Sequence, residues 1–256
     1  MSARQCLIYW SIMFKGDWDQ IYRKICERKY PSKEEMDKVT EGLTCNAVTF
    51  VDPEYPEYLK SIFKPPFVLY YEGDISLLSK MERHIAIVGS RDVDPLYVRE
   101  TRKIVQGLKE DLVIVSGMAS GIDGTAHRAA IEFKRKTIAV LGCGIDICFP
   151  IENRNIYYKI KKYHLMISEY PPGTPPIGEN FPKRNRIVVG LSKVVFVPAA
   201  TKKSGSMISV AIGLEHGKDI LCLPSVDFVD SGCNFCIKSG AYLVENADDI
   251  NDFFPG

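Results

Sequence analysis

The sequence predicts an α/β protein whose main body is a doubly wound, mostly parallel sheet. Short runs rich in Val, Ile and Leu recur at 84–88, 113–115, 137–141, 165–168, 194–197 and 220–223, and a helical pattern separates each from the next. Strands alternating with helices at this spacing build parallel βαβ units. The runs are continuously apolar, as strands covered on both faces are. The chain of 256 residues is 46% hydrophobic and 25% charged, enough for one large core and a smaller appendage. The division expected is a small N-terminal helical and extended segment over residues 1–80 and the main domain over 81–256.

In the first segment, Trp18, Ile21, Tyr22 and Ile25 share one side of a short helix, and Ser32 with Glu35 forms a capping box. A β-run at 47–51 enters the turn Asp52-Pro53-Glu54-Tyr55-Pro56. Lys64-Pro65-Pro66 then precedes a second extended run at 67–71. After the first main-domain strand comes Gly89-Ser90-Arg91, and Asp94-Pro95 opens a helix as N-cap and first-turn proline. Leu96, Thr101, Ile104, Val105 and Leu108 form its inner face. The strand at 113–115 stops at Ser116-Gly117, and a helix resumes from Asp123. Glycines 117, 121 and 124 let backbone N–H groups face a ligand, and the helix start beyond them favours an anion. The same small residues also serve any strand-to-helix turn. A helix opens at Phe181-Pro182-Lys183-Arg184-Asn185-Arg186, and the loop Lys202-Lys203-Ser204-Gly205-Ser206 precedes another from Met207 to His216.

Several functions are disfavoured by what the chain lacks. It holds no run approaching about 18 apolar residues and no leader-like N-terminus, so no membrane association and a cytoplasmic location are expected. Of eight cysteines only Cys233 and Cys236 form a CxxC, without the second pair of a zinc ribbon, so no metal is expected. A G-x-x-x-x-G-K-[ST] loop is missing, and Gly142-x-Gly144 lacks the third glycine of a dinucleotide fingerprint, so no cofactor is assigned. His127, one turn after Asp123, has no nucleophile elbow beside it and reads as structural; no catalytic residue is assigned.

The formal net charge is only +1, but it is unevenly spread. Between Phe181 and Ser206 lie Lys183, Arg184, Arg186, Lys193, Lys202 and Lys203 without one acid, whereas Asp227, Asp230, Glu245, Asp248, Asp249 and Asp252 crowd the end. The basic stretch is either the footprint of a polyanion or a solvated face. Arg91, at a strand end, either offers a planar fork to phosphate or forms a salt bridge. Lys, Arg, Asn and Arg in a first helical turn oppose the helix dipole, a cost that phosphate binding would offset. Phe149-Pro150 sits on the same sheet edge. Its ring either packs in the core or stacks a base, and cations beside an aromatic suit single-stranded nucleic acid.

Taken together, Gly89-Ser90-Arg91, S-G-M-A-S-G-I-D-G-T-A-H (116–127), L-G-C-G-I-D-I-C-F-P (141–150), S-E-Y-P-P-G (168–173), F-P-K-R-N-R-I-V-V-G-L-S (181–192) and S-G-S (204–206) resemble the DprA/Smf family. The flanking segments K-P-P-F-V-L-Y-Y-E-G (64–73) and G-C-N-F-C-I-K-S-G-A (232–241) are similar too, so the likeness spans about residues 47–246. The resemblance implies a Rossmann-like domain that binds and shields single-stranded DNA and helps load the RecA recombinase, as in natural transformation. It implies a mediator rather than an enzyme, and a homodimer formed through the helix around Cys233 to Ser239. The strand-binding set it implies comprises Gly89, Ser90, Arg91, Ser116, Gly117, Phe149, Asn153, Lys183, Arg184, Asn185, Arg186, Lys203, Ser204, Gly205 and Ser206.

Three departures stand against the family pattern. Its V-V-E-A reads F-V-P-A-A here (196–200), and its S-G-S-L-I-T-A reads S-G-S-M-I-S-V (204–210). The winged helix carried by many members has no counterpart before Gly256. The region before residue 45 is a poor match to the family's N-terminal helical domain. The rival reading is a small-nucleotide enzyme or sensor resembling the LOG-type phosphoribohydrolases. Those need P-G-G-x-G-T-x-x-E, whereas the loop here is K-K-S-G-S-M-I-S-V, with no acid until Glu215.

Overall fold

The computed structural model describes residues 2–255. The chain opens with helices α1 (Ala3–Met13), α2 (Trp18–Glu27) and α3 (Lys33–Thr40). Asp17 caps α2 by accepting from the Gln20 N–H, and Ser32 with Glu35 closes the expected capping box on α3. Strand β1 (Asn46–Thr49), the single turn α4 (Glu57–Lys60) and β2 (Val68–Gly73) follow. The alternating part then runs β3 (His84–Ile87), α5 (Pro95–Gly107), β4 (Val113–Ser116), α6 (Ile122–Glu132), β5 (Lys136–Leu141), α7 (Arg154–Tyr163) and β6 (Leu165–Ser168). It continues through α8 (Asn180–Gly190), β7 (Val194–Val197), α9 (Ser206–Glu215), β8 (Asp219–Cys222), α10 (Gly232–Lys238), β9 (Tyr242–Leu243) and α11 (Ala247–Asn251).

All these strands join one sheet in the order β1-β2-β6-β5-β4-β3-β7-β8-β9. Strands β3 to β9 pair with one another in parallel, which is the predicted doubly wound arrangement, and each of the six expected parallel strands is present with ends shifted by at most one residue. The sheet also crosses residue 80. β2 pairs antiparallel with β6, and β1 pairs antiparallel with β2. Gly73 ends β2 at φ +99°, where a Cβ would run into the His164 carbonyl.

Both sheet faces are covered, as the apolar runs require. On one face α5 and α6 bring Ile104, Val105, Leu108, Ile122, Ala126 and Ala129 against Ile85, Ile87 and Ile114. On the other, α8 and α10 bring Ile187, Val188, Cys233 and Cys236 against Val115, Val140, Val195 and Val197. The N-terminal helices have no separate core: Cys6, Leu7, Trp10, Ile21 and Met36 pack with Tyr70, Leu141, Ile160 and Met166. The Tyr70 hydroxyl meets Ser11 Oγ at 3.0 Å, tying β2 to α1. No helix among the described residues is long and apolar enough to cross a membrane.

Candidate functional site

The sheet reverses its winding between β3 and β7, since the chain proceeds outward from β3 through β4, β5 and β6 and then returns to β7. Ligands of doubly wound folds bind beyond the strand C-termini at this reversal. A cavity of about 530 Å³ lies there, lined after β3 by Gly89, Ser90 and Arg91, after β4 by Gly117, in α6 by Asp123, in α8 by Phe181, Arg184 and Asn185, and after β7 by Ser204, Gly205 and Ser206.

Close backbone approaches hold these loops together. Ser90 N–H donates to the Ala199 carbonyl at 2.8 Å, and Ile122 N–H donates to the Ser90 carbonyl at 3.2 Å. A Cβ at Gly89 would stand 2.7 Å from Ile122 Cβ and 2.8 Å from the Ala199 carbonyl oxygen. A Cβ at Gly117 would collide with the Arg184 guanidinium and the Asp123 carboxylate, so this glycine makes room for a buried ion pair.

That pair dominates the floor of the cavity. Arg184 is buried, its guanidinium donates to the Val140 carbonyl, and its Nη2 stands 4.0 Å from Asp123 Oδ2. Its Nε has no partner. Burial pushes the Asp123 carboxyl up to about 6, outweighing the attraction of Arg184 and the Ala119 N–H. Burial likewise lowers the Arg184 pKa.

Arg91 is different. It is exposed at the mouth, and its guanidinium carbon lies 5.7 Å from the centre of the Phe181 ring. Phe181 in turn meets Phe149, ring centres 5.6 Å apart, and Phe149 is 42% exposed. Cation and aromatics therefore form a strip along one edge of the cavity. Ser204 and Ser206 also line the cavity, their Oγ atoms 2.6 Å apart, and the neighbouring Lys203 is exposed.

The remaining residues singled out in the sequence lie elsewhere. Ser116 is buried in β4 with its hydroxyl donating to the Ile87 carbonyl at 2.6 Å. Asn153 is buried and supports the loop after β4, its Nδ2 donating to the Met118 and Ala119 carbonyls at 2.9 and 3.0 Å. Arg186 makes a bidentate pair with Glu169 at 2.7 and 2.6 Å and faces a second cavity, which Lys183 also lines. Lys193 and Lys202 are spent on the carbonyls of Phe253 and Val229. The basic stretch read along the chain is thus dispersed by the fold, because helix and strand geometry send neighbouring side chains to different faces.

His127 is buried between two oxygens, Gly117 carbonyl to Nε2 at 2.5 Å and Thr137 Oγ1 to Nδ1 at 2.7 Å. The carbonyl only accepts, so Nε2 carries the proton and Nδ1 accepts from the threonine hydroxyl. The ring pins β5 to the loop after β4. Sequence reading overlooked Phe181 and Asp123 as cavity residues. Phe181 stood directly before the basic turn, and Asp123 was weighed only as a neighbour of His127.

Residues 46–255 match the family described as DNA recombination-mediator protein A. A DNA processing protein DprA from Streptococcus pneumoniae is 40% identical over 204 residues, 79% of this chain and 72% of the relative. The X-ray structure of DNA processing protein A from the same species superposes with TM-score 0.82 at 33% identity, covering 98% of this chain and 94% of that one. The family model begins at residue 46, in keeping with the poor sequence match before residue 45, whereas the superposition covers 98% of the chain and so takes in the N-terminal helices. A Helicobacter pylori DNA processing protein A, solved for its single-stranded DNA binding mode, superposes with TM-score 0.72 at 31% identity over 82% of this chain and 95% of that one. The chain belongs to the DNA recombination-mediator protein A family.

Proposed function

We propose that the protein is a sequence-nonspecific single-stranded DNA-binding recombination mediator, which shields a strand and helps load a RecA recombinase in the cytoplasm. The observation that carries this reading is the cavity at the sheet reversal, where exposed Arg91 adjoins the Phe181 ring, which in turn meets the half-exposed Phe149. Phosphates pair with cations while bases stack on aromatics, and neither contact reads sequence. Ser204 and the N–H groups of Gly205 and Ser206 at the start of α9 complete a cradle for a phosphate. The protein acts by binding, without a reaction of its own. Asp123 is turned onto Arg184, and His127 is enclosed between Gly117 and Thr137. The rival small-nucleotide enzyme would need an acid in the loop after β7, where the chain has serines; release of free base from a nucleoside monophosphate would establish it instead.

Fluorescence anisotropy of labelled single strands and matching duplexes across a salt series tests the reading. Arg91→Ala is expected to weaken single-strand binding about 10- to 100-fold on every sequence alike, as loss of one charge-assisted contact does, and to lower the salt slope by about 1. The same variant should lose RecA filament assembly on the strand in proportion. Equal affinity of variant and parent removes Arg91 from the site, and no binding at low salt removes the function.

The homodimer expected from the family fits the face formed by the loop before α10 and α10 itself. Val226, Phe228 and Val229 are 76%, 84% and 81% exposed, with Phe235 beside them on α10. Apolar side chains so exposed mark an interface. Light scattering should give twice the chain mass, falling to the monomer in Phe228→Asp; a monomeric parent would refute the dimer.

A further inference from the structure

A second cavity, of about 520 Å³, lies between the start of α2, the segment before β2, and α8. Pro182 lines both this cavity and the one at the sheet reversal, so only the first turn of α8 separates them. We infer that this second cavity is a nucleobase subsite, which receives a base of the same strand after it crosses the Pro182-Lys183 ridge. The inference rests on the strand-binding reading.

Its walls are suited to a flat, uncharged ring. Trp18 is held rigid: its Nε1–H donates to the Pro65 carbonyl at 2.8 Å, and its ring stacks on Tyr22 and Phe67 at 4.9 and 5.2 Å. Phe63 lines the same cavity and is 72% exposed, an aromatic left largely open to solvent. Between these rings sits the Lys64 ammonium, 5.4 Å from the centre of Trp18 and 5.7 Å from that of Phe63. A group bracketed by two rings marks a slot, and the lysine occupies it while paired to Asp19 at 2.6 Å. Lys64 has φ +50°, a left-handed conformation that is uncommon for a lysine and concentrates at functional sites.

Charge decides which part of a nucleotide the slot takes. Lys64 is neutralised by Asp19, and Arg186 by Glu169. The remaining charged side chains of the lining are Lys15 and Lys183 against Asp17 and Glu215, and Lys183 Nζ also stands 3.6 Å from a Glu179 carboxylate oxygen. A balanced lining does not gather phosphates, whereas base stacking on an aromatic needs no net charge. Asn180 supplies a polar contact: it lines the cavity, is only 8% exposed, and its Nδ2 has no hydrogen-bond partner. Once the amide turns toward the cavity, a base carbonyl or ring nitrogen would accept from it, relieving a buried unsatisfied donor. Lys183 stands on the ridge with its side chain 64% exposed, where the intervening phosphate would pass.

The test uses the full chain and oligothymidylates of about 4–16 nucleotides, the range of single-strand site sizes. Trp18 reports directly, because the chain has two tryptophans and Trp10 is buried. Tryptophan emission should be quenched only above a threshold length. Phe63→Ala should weaken binding of the longer strands about 5- to 100-fold, the effect of removing one base-stacking aromatic, and leave the shortest binding strand unaffected. Binding of short strands with no quenching at any length and equal affinities for Phe63→Ala overturns this inference alone. Binding of no strand overturns the function and the subsite together. Saturable quenching by thymidine monophosphate without a length threshold assigns the slot to a free nucleotide and overturns the strand path.

Discussion

Replacing Arg184 with methionine is expected to cost about 3–5 kcal/mol of stability near pH 8, because it strands the buried Asp123 carboxylate. Methionine fills much of the same volume but donates nothing to the Val140 carbonyl. The pH dependence identifies the cause. In the parent, burial already holds the Asp123 carboxyl at about 6, above its ordinary value of 3.8. A raised carboxyl means that the folded state binds the extra proton, so its stabilising contribution is present below the unfolded value and is lost as pH rises through the folded one. Without Arg184 the carboxyl rises further, so the deficit of the variant should grow as pH rises above about 6. His127 acts in the opposite sense. Burial holds it at about 4, so its contribution is lost as pH falls from the ordinary 6.5 toward 4. Comparison above pH 6.5 keeps the two apart. Denaturant unfolding of Arg184→Met, Asp123→Asn and the double variant is the measurement, and the double variant should recover more than half of the loss. A loss in Arg184→Met that neither depends on pH nor is relieved by Asp123→Asn would show that the ion pair is not what makes Arg184 necessary.

Arg184 also shows where sequence reading reaches its limit. The strands were legible because each is a continuous apolar run, and the position of the cavity followed from their order, since the reversal of a doubly wound sheet is set by topology alone. The glycine turns and Arg91 could be placed for the same reason, as they directly follow strands. The cations of α8 could not. Lys183, Arg184 and Arg186 lie within one helical turn, yet the turn sends Arg184 inward to Asp123 and Val140, Arg186 to Glu169, and Lys183 outward. Only the packing of α8 against the loops after β4 and β6 decides which guanidinium is buried, and that packing has no local signature. The antiparallel pair β1 and β2 was recognised as extended, but nothing in its own residues said that it would continue the main sheet beside β6. Strand β9 carries two exposed residues, Tyr242 and Leu243, and no pattern of that length separates a strand from a loop.

Gly121→Ala is expected to remove both stability and strand binding, and by a route that involves no lost side chain. Gly121 has φ +73° and ψ −126°, a region that L-residues essentially do not enter, and it precedes the first residue of α6. A Cβ there would collide with the carbonyl oxygen of Ser90 and stand 2.8 Å from the carbonyl carbon of Arg91. The next residue, Ile122, donates its N–H to that same Ser90 carbonyl at 3.2 Å. The methyl group therefore cannot be accommodated by turning a side chain aside. Either α6 withdraws and gives up this hydrogen bond, or the Ser90-Arg91 peptide moves and takes the Arg91 guanidinium off the Phe181 ring. Backbone strain of this kind costs about 1–3 kcal/mol, which lowers the melting temperature of a chain this size by roughly 2–12 °C. Strand affinity should fall at least as far as in Arg91→Ala, since the loop moves as a unit. Gly178→Ala is the control, because a Cβ there meets nothing within 4 Å and the residue lies outside the left-handed region. If Gly121→Ala melted and bound like Gly178→Ala, the contact between the loops after β3 and β4 would not be what positions Arg91.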